Sequence, residues 1–423
     1  MLFRSDNLWG FPNYATLEAI RGISKGKLKS SLGYLWQMFA EPTLASTYTP
    51  KSGDVIAAID REAARISWRK MIRTAHVHAI RKTTDGRYAI VYTCQQPTDY
   101  ACTIARYVHI ATGYPALQFL PDLQAYRDRT QDFKTVVNAY ESHEHIYEHL
   151  AIHGGTVLLR GTGIVAARIL QKIYTIRRDH NRVEIRVIQL LRSAKIEGNK
   201  YGLANRKVEH NYEFQPFNWP KSAWGGQYKS TLENATLEQR QHLLADWGGV
   251  TTTDRPDWRK IITGGINKGW YQIVYGEVQH VLPRASSKGT ITTVRESGVK
   301  AEINLESDFI IDATAVDAPI MASPLLQDLV EQYKLPINHL GRLTTTPDFE
   351  LVEMANQPGK IYASGSITLG NYYAPVDSFL GLQYAAFQIV QDLLAQNAIE
   401  LKPLVLVRSL TQWWKWINNR SPD

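Results

Sequence analysis

The sequence predicts an α/β fold, because short β-branched apolar runs of strand length alternate with longer segments of helical apolar spacing. The clearest junction is at residues 156–170, where the run Thr156–Arg160 ends in Gly-x-Gly-x-x-Ala and a helical pattern follows at once. A second junction lies at residues 359–386, where an apolar run meets glycines, then a loop and a helical pattern. With 423 residues, the chain is long enough for two or more domains with separate cores.

The glycine-rich turn after the first of these strands predicts a dinucleotide site. Gly161 permits a tight strand-to-helix turn, Gly163 lets a pyrophosphate approach the backbone, and Ala166 keeps the helix close to the sheet. Thr162 and Ile164 complete the turn, where the helix N-terminus offers N–H groups to the phosphates. The alternative is a tight turn that binds no ligand, but the strand before it and the helix after it favour dinucleotide binding.

The end of the next strand indicates which dinucleotide this is. The run Val183–Leu191 is followed by Arg192. An acidic residue here would accept hydrogen bonds from the ribose hydroxyls of NAD, whereas an arginine suits the 2′-phosphate of NADP. Two interpretations stay open, namely a phosphate contact that selects NADPH and a solvated charge at a strand end.

Composition indicates an ordinary globular protein, with 44% hydrophobic and 21% charged residues. Its net charge of +8 is spread along the chain, which favours attraction to anionic cofactors or membrane surfaces over nucleic-acid binding. No apolar run is long enough to span a bilayer, and no signal peptide opens the chain. Cys94 and Cys102 form no metal or redox motif, so we expect a reducing, cytoplasmic location.

Apolar spacing and turn residues predict the remaining elements. Strands are predicted at residues 76–82, 88–93, 107–112, 270–275, 278–282, 290–295, 300–305 and 308–314. Helices are predicted at residues 60–68 and 236–247 and in a segment that ends near Leu393. The polar stretch 126–151 contains histidines and glutamates without metal-ligand spacing, so we predict a solvated connection and no metal site.

Four motifs in this order resemble those of flavin-dependent monooxygenases, specifically the flavin-containing and amino-acid N-hydroxylating monooxygenases. Ile110–Pro115 resembles the strand end at which the chain crosses between an FAD and an NADPH domain. Gly161–Ala166 resembles the NADPH loop, and residues 312–315 resemble the matching return strand. Gly365–Gly381 resembles the segment that closes over the flavin.

The resemblance implies two Rossmann-like dinucleotide-binding domains, with the NADPH domain inserted into a discontinuous, N-terminally incomplete FAD domain. The FAD domain would comprise residues 1–150 and 306–423, and the NADPH domain residues 151–305. The flavin-binding residues implied by the match are Gly365, Ser366, Asp377 and Leu382. Asn218 and Lys221, in an aromatic loop, are candidates for contact with the nicotinamide or a small-molecule substrate, or are ordinary loop residues.

The start of the chain departs from this family. There, a strand, a Gly-x-Gly-x-x-Gly loop and a helix hold the FAD pyrophosphate, and residues 1–50 contain no such pattern. A truncated chain, a partner chain that supplies the unit, and loss of flavin binding all explain this departure. The implied activity is that of an FAD/NADPH-dependent, monooxygenase-like oxidoreductase, and we expect the isolated chain to purify with little FAD and to associate. The alternatives are a flavin-free NADPH-binding regulatory protein and a subunit that needs a partner, or a second copy, to complete the FAD site.

Overall fold

The computed structural model describes most of the chain. The described residues are 19–20, 22–29, 31–32, 52–94, 99–115, 117–201, 204–215, 227–249, 251–253, 256–285, 288–298, 301–314, 319–374, 376–396 and 406–422. Asn218 and Lys221, the predicted substrate contacts, lie outside these residues.

The chain divides into two compact units, and each is built from more than one segment of the sequence. Unit 1 consists of Met1–Pro115, Phe217–Leu244 and Pro319–Asp423, and unit 2 consists of Ala116–Pro216 and Ala245–Ala318. Unit 2 thus begins before residue 151, the predicted start of the NADPH domain, because strand and helix residues from 117–150 belong to its sheet and core. The assignment of a cofactor to each domain stays a prediction.

Helices and strands alternate as the α/β class predicts. The helices are α1 (Ser52–Arg65), α2 (Trp68–Met71), α3 (Pro121–Thr130), α4 (Glu144–His153), α5 (Ile164–Asp179), α6 (Gln227–Asn234), α7 (Leu237–Trp247), α8 (Pro256–Asn267), α9 (Pro324–Tyr333), α10 (Phe379–Ala395) and α11 (Leu406–Ile417). The strands are β1 (His76–Lys82), β2 (Tyr88–Thr93), β3 (Tyr100–Ala105), β4 (Tyr107–Ile110), β5 (Val136–Asn138), β6 (Thr156–Arg160), β7 (Arg186–Leu191), β8 (Lys200–Tyr201), β9 (Ala204–Asn205), β10 (Lys207–Glu209), β11 (Tyr212–Gln215), β12 (Thr252–Thr253), β13 (Tyr271–Pro283), β14 (Thr290–Glu296), β15 (Glu302–Ser307), β16 (Phe309–Asp312) and β17 (Lys360–Ala363).

Unit 2 contains a seven-stranded sheet in the order β15-β14-β13-β7-β6-β16-β5. The strands from β13 to β5 are parallel, and β14 and β15 extend the sheet antiparallel. Alternate residues of β6 enter two cores, because successive side chains of a strand point to opposite faces. Val157 and Leu159 pack with α4, α5 and α8, while Leu158 packs with α3 on the other face. Both faces are therefore covered, as parallel sheets require.

Unit 1 combines a three-stranded antiparallel sheet, β1-β2-β3, with a parallel pair formed by β4 and β17. The strands predicted at residues 76–82 and 88–93 are confirmed as β1 and β2, which pair antiparallel. Side chains of β17 also alternate between two cores, with Ile361 and Ala363 in one and Tyr362 in the other. The parallel pair ends at Ile110 and Ala363, and the segment that begins at Gly365 follows it directly.

Three sequence predictions need correction. Residues 126–151 are not a solvated connection, because they include β5 and α4, whose Val136, Ile146 and Leu150 are fully buried. Strand β7, predicted to start at residue 183, starts at Arg186. The two strands predicted between residues 270 and 282 form the single strand β13, with a register irregularity near Val278.

No helix within the described residues is long and apolar enough to cross a membrane.

Lys360 of β17 is the central ion of a buried cluster in unit 1. Its side chain is 9% exposed and lies 2.9 Å from Glu350 Oε2 and 2.8 Å from Asp392 Oδ2. Tyr362 donates a hydrogen bond of 2.7 Å to the same Asp392 oxygen. Burial alone would lower the pKa of Lys360, but hydrogen bonds to Asp392 and Glu350 raise it above its usual value. The cluster joins β17 to α10, which carries Asp392.

We predict that Lys360→Met destabilises unit 1 by about 3–5 kcal/mol, because the buried carboxylates of Glu350 and Asp392 lose their cation. Hydrogen-exchange mass spectrometry of residues 359–395 measures the loss as reduced amide protection. Arg87→Met is the control, since Arg87 pairs with Asp85 at the surface of the same unit, and there protection should not change. Equal protection in Lys360→Met and the wild type would show that the cluster is not needed for stability.

Candidate functional site

The predicted dinucleotide turn lies at the carboxyl edge of the parallel sheet in unit 2. Arg160, Asp312 and Asn138 end three neighbouring strands and pair in register across β6, β16 and β5. The chain leaves β6 toward β7 on one side, while β16 lies on the other side. This is a topological switch point, the position at which open α/β sheets bind their ligands.

Gly161 adopts a backbone conformation that its neighbours enforce. Its φ is +105°, which side chains rarely adopt, and a Cβ atom added there would lie 2.3 Å from the Ala313 carbonyl oxygen. The Ala313 N–H in turn donates to the Arg160 carbonyl at 2.8 Å. The first glycine of the motif is therefore required by the close approach of the chain that follows β16.

A buried network of polar side chains contacts this turn and fixes its position. Gln189, in the middle of β7, is fully buried and donates its side-chain amide to the Gly161 carbonyl. Its amide oxygen accepts hydrogen bonds from the hydroxyls of Tyr212 at 2.9 Å and Tyr271 at 3.4 Å. Burial raises the pKa of both tyrosines, so they stay protonated and act as donors.

Gly163 lies at the exposed end of the motif, and its surroundings are open. It is the N-cap of α5, no side chain caps the helix, and the first turn contains no acidic residue. A Cβ added at Gly163 would meet no atom within 4 Å. Thr162 and Ile164 are half-buried, and Ala166 is fully buried against the sheet. The N–H groups of this helix end have no side-chain cap, and backbone donors of this kind can bind an anionic group.

Two further contacts fix the strand ends around the turn. Arg160 forms an ion pair of 2.8 Å with Asp122, in the first turn of α3. The buried Asp312 carboxylate accepts the Leu120 N–H at 3.1 Å and the Thr314 hydroxyl at 2.6 Å. These contacts tie the segments before α3 and after β16 to the same edge of the sheet.

Arg192 follows β7 at this edge and is exposed. Its backbone carbonyl accepts a hydrogen bond of 3.1 Å from the Ser297 hydroxyl, which holds the main chain there. This placement fits both sequence interpretations, so its contact with a 2′-phosphate stays a prediction.

All of the residues predicted to contact flavin belong to unit 1, and two of them, Gly365 and Leu382, lie close together. A Cβ added at Gly365 would lie 3.5 Å from a methyl carbon of Leu382, a side chain that is 39% exposed. Ser366 is 2% exposed, and its hydroxyl has no hydrogen-bond partner among the described residues. Asp377 is exposed and accepts a hydrogen bond of 2.7 Å from the Tyr114 hydroxyl. The buried, unpaired hydroxyl of Ser366 fits a polar group of a bound ligand.

The ends of β4 and β17 are joined by a histidine–serine contact. His109 Nε2 lies 2.7 Å from the Ser364 hydroxyl, and burial lowers the pKa of His109. The neutral imidazole is therefore the form present near neutral pH. In the described part of unit 1, β4 and β17 are the parallel strands, and neither is followed directly by a Gly-x-Gly-x-x-Gly loop.

Sequence reasoning identified the glycine turn but missed the residue that holds it. Gln189 is a polar residue within the run Val187–Leu191, and a buried amide in an apolar strand requires hydrogen-bond partners. That signal was available in the sequence, although the partners themselves were not.

Among the described residues, no group of three histidine, cysteine or acidic side chains is placed to hold a metal ion.

The two units and the glycine turn define a class of fold, a two-unit α/β protein with a Gly-x-Gly-x-x-Ala turn at the switch point of a parallel sheet. No family model and no curated protein matches the sequence.

Solved structures of N-hydroxylating flavin monooxygenases are similar to the chain. An ornithine hydroxylase from Pseudomonas aeruginosa matches 91% of this chain over 82% of its own, with a TM-score of 0.60 and 15% identity. The ornithine N-hydroxylase of Kutzneria sp. 744 matches 92% of this chain over 85% of its own, with a TM-score of 0.60 and 15% identity. L-lysine 6-monooxygenase from Pseudomonas syringae matches 90% of this chain over 97% of its own, with a TM-score of 0.50 and 14% identity. The chain has the fold of these monooxygenases, which confirms the predicted fold class.

We predict that Gln189→Leu destabilises the sheet of unit 2 by about 1–3 kcal/mol, because the buried Tyr212 hydroxyl loses its acceptor and the Gly161 carbonyl its donor. Hydrogen-exchange protection of residues 156–170 measures this loss. The double variant Gln189→Leu/Tyr212→Phe should recover part of it, since both partners of one hydrogen bond are then removed. Recovery of none of the protection would contradict the role given to this network.

Proposed function

We propose that the chain is an FAD/NADPH-dependent oxidoreductase of the monooxygenase type. The observation that carries this proposal is the open, uncapped N-terminus of α5 at Gly163, placed at the switch point of a doubly covered parallel sheet. Unit 2 would bind NADPH, and unit 1 would bind the flavin. Such a site takes a pyrophosphate because both its N–H groups and its dipole favour negative charge.

In this proposal, different residues of unit 2 bind different parts of NADPH. Gly161, Thr162, Gly163 and Ile164 supply the turn and the backbone donors, and the buried Ala166 sets the distance of the helix from the sheet. Arg192, at the end of the next strand, is the candidate for the 2′-phosphate, which a guanidinium binds through several donors.

In unit 1, the segment after β17 is the proposed place of the flavin. Gly365, Ser366, Asp377 and Leu382 would hold it, and the buried Ser366 hydroxyl would gain the hydrogen-bond partner that it lacks. NADPH and FAD, when bound, supply the hydride transfer and the oxygen activation, which side chains cannot perform. The contribution of the protein is to position the two cofactors and to exclude water.

The solved neighbours support a small amine as the substrate class. One neighbour is described with reduced FAD, NADP⁺ and L-ornithine, and another is a cadaverine monooxygenase from Erwinia amylovora. Hydroxylation at the nitrogen of a small primary amine is therefore the reaction that we propose to test first. Asn218 and Lys221 stay candidates for the substrate side.

We predict that Gly163→Val weakens NADPH binding by tenfold or more, because a branched side chain would occupy the space in which the pyrophosphate must lie. Isothermal titration calorimetry measures the affinity, and NADPH consumption with added FAD and candidate amines measures the activity. Since the added Cβ meets no protein atom, thermal unfolding of the variant should stay close to that of the wild type.

Three outcomes of this experiment separate the proposed function from its alternatives. Equal NADPH affinity in the wild type and Gly163→Val would contradict the cofactor site. NADPH binding without any FAD-dependent NADPH consumption would favour the two alternatives, a flavin-free NADPH-binding protein and a subunit that needs a partner chain. FAD-dependent consumption that rises with an amine, and that Gly163→Val removes, would support the proposal.

We predict that Arg192→Ala removes most of a preference for NADPH over NADH. A hydrogen bond from a charged donor to phosphate contributes about 1.5–3 kcal/mol, which corresponds to about tenfold or more in affinity. The affinity for NADH should change little, because its ribose carries no phosphate there. An unchanged ratio of the two affinities would show that Arg192 is a solvated charge.

A further inference from the structure

A second pocket of unit 2 lies at the opposite edge of the sheet from Gly161. It has a volume of about 250 Å³ and is formed by the end of α5, the chain after it, α8 and Trp270. Trp270 directly precedes β13, and its carbonyl accepts the Val187 N–H at 2.7 Å near the start of β7. The pocket therefore lies at the amino ends of the parallel strands, remote from the proposed cofactor turn.

The charged side chains that line this pocket are all cationic, namely Arg177, Arg178, Lys260 and Lys268. Arg178 pairs with Asp179 at 2.7 Å. Arg177 donates to the carbonyls of Val183 and Ile185, which leaves its charge without a carboxylate. In the part of the chain that the structure describes, Lys260 and Lys268 have no ion-pair partner.

Lys260 and Gly264 lie on one face of α8, and Lys268, the residue directly after the helix, continues that face. They are spaced four residues apart, and the Lys268 N–H still donates to the Gly264 carbonyl at 3.1 Å. The two lysine Cα atoms are about 12 Å apart along the helix axis. Their flexible side chains extend from either side of Gly264 and can bind one anionic group between them.

The two glycines of α8 differ in what surrounds them. A Cβ at Gly265 would lie 2.8 Å from the Tyr271 Cβ and 2.9 Å from the Trp270 ring, so packing requires a glycine there. A Cβ at Gly264 would meet nothing within 4 Å. A glycine inside a helix costs about 1 kcal/mol relative to alanine. No contact among the described residues explains Gly264, and its missing side chain enlarges the pocket.

Apolar side chains form the remaining wall. Tyr174 stacks on Trp270 with ring centroids 5.9 Å apart, and Ile261 and Val183 also line the pocket. Pockets that bind organic molecules combine such a wall with a few charged groups that orient the ligand.

Helix dipoles explain only part of this charge distribution. Arg177, Arg178 and Lys268 lie at the carboxyl ends of α5 and α8, where cations are favourable without any ligand. Lys260 lies in the second turn of α8, away from its carboxyl end, so the helix dipole does not explain a cation there. The open space at Gly264 is likewise unrelated to the dipole.

We propose that this pocket is a second binding site of unit 2, for a small organic anion with at least two negative charges and an apolar or aromatic part. A nucleoside monophosphate has this chemistry. Its phosphate would lie between Lys260 and Lys268 over Gly264, and its base would contact the apolar wall. The site is separate from the proposed NADPH turn and does not depend on the proposed function.

Calorimetric titration of AMP into the full chain saturated with NADP⁺ tests the proposal. A Cβ at Gly264 meets no atom within 4 Å, so Gly264→Leu adds an isobutyl group to the pocket, and we expect it to abolish AMP binding while the protein keeps its thermal stability. Lys260→Ala and Lys268→Ala should each weaken binding by tenfold or more. Lys134→Ala, which removes an exposed lysine near β5, is the control for general loss of charge and should not alter the affinity.

The variant Gly163→Val shows whether AMP binds in this pocket or at the Gly161 turn. AMP affinity that this variant leaves unchanged would support a separate pocket, whereas its loss would place AMP at the Gly161 turn and overturn the proposal. No detectable AMP binding, or binding that Gly264→Leu does not affect, would also overturn it. Titration with inorganic phosphate shows whether the base contributes, and equal affinities for phosphate and AMP would contradict the role of the apolar wall.

Discussion

The hydrogen bond from the Gln189 side chain to the Gly161 carbonyl is the contact on which the turn of unit 2 depends. Gly161 occupies a backbone region that only glycine adopts readily, and its carbonyl would otherwise be a half-buried acceptor without a partner. By supplying that partner from β7, the protein sets the position at which α5 begins. The open N-terminus of α5 therefore has a fixed position and direction before any ligand binds. An anionic ligand need not order it on binding.

The two ends of α5 have different environments, which divides unit 2 into two faces of different chemistry. The first turn has no side-chain cap and no acidic residue, so its backbone donors are free for a ligand. The last turn contains Arg177 and Arg178, which neutralise the dipole and line a cationic pocket. One helix can thus support two anion sites, the first through its backbone and the second through its side chains.

Local sequence patterns predicted the elements whose signal is contained in a few residues. The turn Gly161–Ala166 is such a case, because strand, glycines and helical spacing are contiguous. β5 and α4 were missed because polar residues hide a narrow apolar stripe that includes Ile146 and Leu150. The partners of Gln189 come from β11 and β13, far along the chain, and no local pattern predicts such contacts. The same holds for Gly264, whose open surroundings appear only once α5 and α8 are packed.

The position of β16 has a consequence for how the chain folds during its synthesis on the ribosome. β16 lies between β5 and β6, although the chain reaches residue 309 long after residue 160. At the usual synthesis rate, this delay is on the order of ten seconds. Throughout that time the inner edge of β6 is an unpaired, apolar strand that can pair with other nascent chains. This edge of β6 therefore lacks its native partner strand until residues 309–312 have been synthesised.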